Sequence, residues 1–396
     1  MRKPAKTMVI PTQVNTEQPL QGDLDDIDDS LGSAPYSNEG ERKVLIQQYD
    51  YAVRTLMDMV VEGDLVLDPD YQRQYRWPDE KAARFIESIV LNIPVPVLYL
   101  AEDSDGTFSV IDGQQRLTSL LRFIKPHELS SLYPDRQLAP LELNDLRVRP
   151  DLNGMPYASL PRLDKSALAK RPIRCIVILN ESDTTLKFEV FERLNTGSVS
   201  LTDQEVRHCI YRGSYHQLIK RLATNEDFHE LLNLPESLSK AMKDAELVLR
   251  FFAYKELTNE AYYADNFAEY LNKHMEDRRV ITEDMARRLQ DEFEATVQVV
   301  KRVLGPGIAF RKPSNREDPS TATFAQNKIN GAIYEAQMIS FSRYLATGRT
   351  LSDIELKERT LRAFSDDVFW NALFQGTAQR RKAIDRSRIL TDLLVS

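Results

Sequence analysis

Three short clusters in this chain combine residue types that do chemistry. The first is Asp112-Gly113-Gln114-Gln115-Arg116. A glycine here lets the backbone turn tightly and approach a ligand closely. If a helix starts at this point, its first turn offers free amides and a positive dipole end, which suit phosphate. Arg116 adds a planar, bidentate cation. Gln114 and Gln115 can orient water or a base edge. Asp112 can hold Arg116, bind a metal ion through water, or accept a proton. The same residues also fit a plain N-capped helix following a hairpin, with Asp112 as the cap.

The second cluster is Gln72-Arg73-Gln74-Tyr75-Arg76-Trp77. Arginine beside tyrosine and tryptophan favours phosphates and stacked bases, although a buried aromatic anchor with solvated arginines would look alike. The third, Phe191-Glu192-Arg193-Leu194-Asn195-Thr196-Gly197, is by itself only a helix C-terminus with a turn.

Several elements must position these clusters. Order is expected to begin near Arg42, with a helix over 51–61. Pro78 and Asp79 open a second helix, on which Phe85, Ile86, Ile89 and Val90 recur at helical spacing. A strand is expected over 95–100, a hairpin turn at Asp105-Gly106, and a second strand over 107–111. Leu117, Leu120, Leu121 and Ile124 then form one apolar stripe, so the Gln-Gln-Arg triplet falls on the first turn of a helix fed by a hairpin. Arg116 lies on that helix's polar side and is expected to be exposed. Residues 126–172 carry many prolines and read as an irregular insertion, 173–179 as a buried strand, and 186–194 as a helix. Thr202 and Glu205 form a capping-box pattern with Leu201 and Val206 as its staple. Only helical patterns follow. The expected organisation is an acidic disordered tail at 1–40, a small mixed domain at 41–212 and a helical domain at 213–396.

Composition bounds the partners. The 396 residues carry a net charge of −8 and are 42% hydrophobic and 28% charged, which predicts a soluble chain with a real core. Five aspartates fall between Asp23 and Asp29, in a tail too polar to offset its own ordering entropy. An acidic chain must focus its basic residues to hold nucleic acid; Arg76, Arg84, Arg122, Arg147 and Arg149 are the candidates. No run approaches the ~18–20 apolar residues that cross a bilayer. Cys175 and Cys209 follow no pair or metal spacing, so a reducing cytoplasm is the expectation.

The pattern Tyr-Gln-Arg-x-Tyr-x-Trp from Tyr71, then Asp-Gly-Gln-Gln-Arg-Leu-Thr from Asp112, then Phe-x-Arg-Leu-Asn-Thr-Gly from Phe191 with Leu-Thr-x-x-Glu from Leu201, closely resembles one family. It is the N-terminal domain family of GmrSD-type, modification-dependent restriction enzymes, within the ParB/sulfiredoxin-like superfamily. The resemblance covers roughly residues 50–210, and the tail from Phe369-Trp370 to Arg388, with Phe-x-Gly-Thr and then Arg-Ile-Leu, also resembles that family's helical end. It implies an α+β fold, in which a ParB/sulfiredoxin-like domain precedes an all-α domain. It also implies that Asp112, Gly113, Gln114, Gln115 and Arg116 bind or hydrolyse an NTP, GTP or ATP, with Mg2+ open as a companion ion. Asp112, Gln114, Gln115 and Arg116 are then the candidate catalytic residues. Gln72, Arg73, Tyr75, Arg76 and Trp77 would line the same pocket, with Arg193 and Asn195 as neighbours. DNA or a DNA-acting partner protein is implied, no membrane is, and a homo-oligomer stays open.

The chain departs from the larger enzymes of that family. His127, His208, His216, His229 and His274 show no paired nuclease arrangement. No His-Cys cluster suggests zinc, and no Gly-x-x-x-x-Gly-Lys-Ser/Thr loop is present. A sulfiredoxin-like reductase is disfavoured because the reactive loop has no cysteine. The expected function is an NTP-binding or NTP-hydrolysing component of DNA restriction or anti-phage defence. The alternatives are a non-enzymatic DNA-binding or adaptor subunit that senses nucleotide or modified DNA, and a stand-alone ParB-like nuclease.

Overall fold

The computed structural model describes residues 44–67, 75, 77–103, 105–133, 138–180, 182, 190, 193, 202–234, 242–257, 267–325 and 328–396, the side chains of Glu205 and Cys209 excepted. The tail at 1–40, Gln72, Arg73, Arg76, Asn195 and most of the helix expected over 186–194 lie outside these residues.

A small mixed sheet leads and a helical region follows. The chain enters on β1 (Ile46–Ala52), turns into α1 (Val53–Glu62), and continues through β2 (Leu65–Val66), α2 (Asp79–Val90), β3 (Leu98–Glu102), β4 (Phe108–Asp112) and α3 (Gln114–Ile124). Then come α4 (Pro126–Leu132), α5 (Arg162–Lys170) and β5 (Pro172–Ile178). The strand order is β1-β5-β3-β4-β2. β1 runs antiparallel to β5, β5 parallel to β3, β3 antiparallel to β4, and β4 parallel to β2.

Alternation along the strands gives the sheet two apolar faces. Leu98, Leu100, Val110, Ile173, Cys175 and Val177 point into one core, which α1, α2 and α3 close with Leu56, Met57, Ile86, Ile89, Leu117 and Leu120. Ala101, Ile111 and Ile178 point the other way, into the core of the helical region. One sheet therefore supports two cores. Residues 126–172 hold more order than their prolines suggest. They contain α4 and α5, and Leu141, Leu143, Leu146, Leu152 and Leu160 are buried in the first core. The Glu87 carboxylate accepts from the Val148 and Arg149 amides at 2.9 and 2.7 Å, fixing this segment to α2.

The helical region comprises α6 (Asp203–Ile210), α7 (Ser214–Ala223), α8 (Glu226–Leu232), α9 (Lys243–Lys255), α10 (Phe267–Asp277), α11 (Glu283–Val303), α12 (Gly331–Ala346), α13 (Asp353–Ala363), α14 (Asp367–Phe374) and α15 (Arg380–Val395). Of the described helices, none is long and apolar enough to cross a membrane. Its interior contains ionised groups. Arg250 on α9 bonds Glu246 at 2.6 Å and Glu335 on α12 at 3.3 Å. Arg386 on α15 pairs with the same Glu335 and donates to the Ala372 and Thr377 carbonyls at 3.3 and 2.9 Å. The surrounding cations outweigh the burial of Glu246 and hold its carboxyl down at about 2.

Two buried histidines in this region stay neutral. His274 Nε2 shares a 2.8 Å hydrogen bond with Tyr215 Oη, and burial together with nearby Arg278 lowers its pKa to about 3 from the ordinary 6.5. Burial also pushes His208 well down. A depressed histidine stabilises the fold fully above its unfolded pKa and loses that contribution as pH falls toward its folded pKa. Stability should therefore drop between pH 6.5 and 3, with His274 accounting for about 2 kcal/mol at about pH 5. Urea titrations across this range test the claim. His274→Gln should flatten the acid limb, and an unchanged slope would refute the assignment.

Candidate functional site

β4 delivers the chain to the sheet's C-terminal end at Asp112, and α3 starts two residues later. Gly113 makes the corner. Its φ of 110° is left-handed, and a Cβ there would overlap Leu98 Cδ2. Both conditions require glycine. Gly113 also occupies the N-cap position and, lacking a side chain, makes no cap bond itself. The expectation that Asp112 caps this helix is thus corrected: Asp112 closes β4 and turns its carboxylate to Arg116.

Arg116 corrects a second expectation. It is only 7% exposed, because its side chain folds back under the corner instead of into solvent. Nη2 donates to Asp112 Oδ2 at 2.8 Å. Nη1 donates to the Pro96 carbonyl and, at 3.2 Å, to the Val97 carbonyl. Burial pulls its pKa below the ordinary arginine value, opposed by the Asp112 carboxylate. Pro96 is fixed in φ and cannot donate, and Arg116 takes up its carbonyl just before β3 begins.

Tyr75 and Trp77 pack along the face of α3 that carries Gln115, Ser119 and Arg122. The Trp77 amide donates to Gln115 Oε1 at 3.3 Å. Tyr75 Oη and Ser119 Oγ share a 2.8 Å hydrogen bond, and the Arg122 guanidinium stacks on the Tyr75 ring at 4.7 Å. Arg122 itself donates to Asp79 Oδ1 at 2.8 Å and to the Ala139 carbonyl at 2.9 Å. Trp77 is held edge-on by Phe85 at 5.7 Å, with the Lys81 ammonium 4.7 Å from its centroid. The end of the second cluster therefore lies on the first turns of α3, while Arg193 is exposed. Sequence reasoning missed Ser119 and the structural part played by Arg122. The signal was available: 115, 119 and 122 recur at helical spacing on one face.

The arginines expected to form a basic surface are largely neutralised. Arg84 pairs with Asp145, Arg122 with Asp79, and Arg149 with both Asp151 and Asp164. Arg147 is exposed. Among the described residues no group of three or more His, Cys, Asp or Glu could hold a metal ion. The arrangement around α3 is a helix N-terminus on a rigid glycine corner, beside two half-buried glutamines and an aromatic wall. It can bind an anion and orient water beside it.

Residues 53–212 match the family described as GmrSD restriction endonuclease, N-terminal domain. The match begins at the first residue of α1 and ends just before α7; the helical end of the chain is not covered by it. No curated protein and no solved structure matches the chain.

Proposed function

With residues 53–212 belonging to the GmrSD restriction endonuclease N-terminal domain family, we propose that this chain binds and hydrolyses a nucleoside triphosphate at the Asp112–Arg116 corner as part of DNA restriction. The glycine corner at the start of α3 carries this reading. Gly113 at the N-cap position brings no side chain of its own over the helix start and lets a phosphate come close to the backbone. Gln114 and Gln115, both half-buried, are the groups that orient a water toward the terminal phosphate. Tyr75 and Trp77 form the wall beside it, with Gln72, Arg73, Arg76, Arg193 and Asn195 as further ligands. GTP and ATP are the candidate substrates. Asp112 is the only carboxylate of the corner among the described residues and already serves Arg116, so a Mg2+ ion would be held chiefly by the phosphates. DNA, or a partner that acts on it, is the macromolecule this domain would serve.

The test is phosphate release from each of the four NTPs, with and without DNA. Turnover of at least one NTP that falls at least tenfold in Gln114→Ala or Gln115→Ala is the expected result. Binding without turnover would favour the nucleotide-sensing adaptor reading. Neither binding nor turnover would end the nucleotide reading. Plasmid cleavage by the chain alone would favour a stand-alone nuclease.

A further inference from the structure

We infer that Arg116 is a positioning residue, which braces the Pro96–Val97 segment against the strand–helix corner and so fixes the phosphate-binding amides of α3. The inference rests on the nucleotide reading of that corner for its consequence, though not for its geometry. Three observations carry it. The guanidinium is buried beneath the corner, at 7% exposure. Its two terminal nitrogens bond groups on both sides of the corner: Asp112 at the end of β4, and the carbonyls of Pro96 and Val97 before β3. The position of a Cβ on Gly113 would lie 3.4 Å from Arg116 Nη2, so the guanidinium packs directly on the turn.

A planar fork can hold three acceptors on two segments at once; an ammonium cannot reproduce that geometry. β3 and β4 are antiparallel neighbours through Tyr99↔Asp112 and Leu100↔Val110, with a register irregularity between Tyr99 and Leu100. The ladder is thus least regular beside the corner, and the arginine supplies there the link between strands that a regular ladder would give. A cation whose task is to meet a phosphate would instead present its donors to solvent.

The experiment compares Arg116→Ala and Arg116→Lys with the parent, using amide hydrogen exchange, melting temperature, nucleotide binding and steady-state phosphate release. A brace predicts faster exchange along Leu98–Leu100 of β3 and at Leu117, whose amide donates to the Gly113 carbonyl at 2.9 Å, in both variants, with Lys behaving like Ala. It predicts a KM raised at least tenfold. Millimolar guanidinium chloride, far below denaturing levels, should restore exchange protection and KM together in Arg116→Ala by filling the slot. Parent-like exchange and melting with lost turnover, partly kept by Arg116→Lys, would overturn the proposal and make Arg116 a phosphate ligand. If Arg116→Ala does not fold, Arg116→Lys gives the same exchange readout. Should the parent neither bind nor turn over any NTP, the nucleotide reading falls, while the exchange data still decide whether Arg116 braces the corner.

Discussion

Gly113→Ala is expected to destabilise the protein by about 3 kcal/mol and to abolish any nucleotide handling at the corner. Two separate costs combine. An L-residue at a φ of 110° costs on the order of 1–2 kcal/mol. The new methyl also collides with Leu98, which is buried in the sheet and cannot swing away; overpacking of this kind costs about 1–3 kcal/mol. The two parts can be separated. Gly113→Asn tolerates the backbone better but still collides, so it should remain destabilised. Gly113→Ala with Leu98→Ala should be less damaging than the two single changes added together, because the truncated leucine opens the space that the methyl needs. Urea midpoints measure all of this. A Gly113→Ala protein within 0.5 kcal/mol or so of its parent would show that the corner is not rigid, and the anion-site argument would lose its geometric basis.

The second large effect belongs to the helical region. Arg386→Ala should cost about 3–5 kcal/mol, because it strips a buried carboxylate of one of its two cations. Glu335 and Arg386 are both 2% exposed at the side chain, and the arginine also satisfies the Ala372 and Thr377 carbonyls. Glu335→Leu combined with Arg386→Met should recover most of the loss, because an apolar pair of similar size carries no charge to desolvate. Chemical denaturation of the two single variants and the double variant closes the cycle. Additive losses would mean that the two side chains do not act as a pair.

How much of this was legible can be argued from particular residues. The hairpin at Asp105-Gly106 and the stripe Leu117, Leu120, Leu121 and Ile124 were readable because local turn chemistry and helical period agree there. β5 was readable as an apolar run broken only by Arg174. β1 was not: Ile46–Ala52 is mostly exposed along the sheet edge and carries three polar residues between its apolar ones, so nothing marked it as a strand, and the first helix was placed two residues early. β3 was expected at 95–100 and runs over Leu98–Glu102, since Pro94 and Pro96 delay the ladder.

At the site, residue types were visible but directions were not. A helical period assigns Arg116 to the polar side of α3, and long side chains on a helix lean toward its N-terminus. Here that lean carries the guanidinium under the corner, where carbonyls from residues 96 and 97 wait. Those acceptors belong to another segment, so no local pattern could announce them. Asp112 could be read as a cap or as a partner for Arg116, and the structure takes the second, four residues on. The family match over 53–212 spans the corner but says nothing of how it is held together.

The edge strand has a consequence for how the chain comes off the ribosome. β1 is the first described strand, yet its partner is β5: the Asp50–Arg174 pair spans 124 residues of chain. The β3–β4 hairpin and α3 are contiguous and need only short loops to close, so they can assemble while synthesis continues. β1 must wait, with Ile46 and Tyr49 on a strand that has no neighbour until residue 178 has emerged. A nascent chain paused before β5 would hold the strand–helix corner already formed and an open β-edge beside it, the surface on which chaperones and wrong partners act.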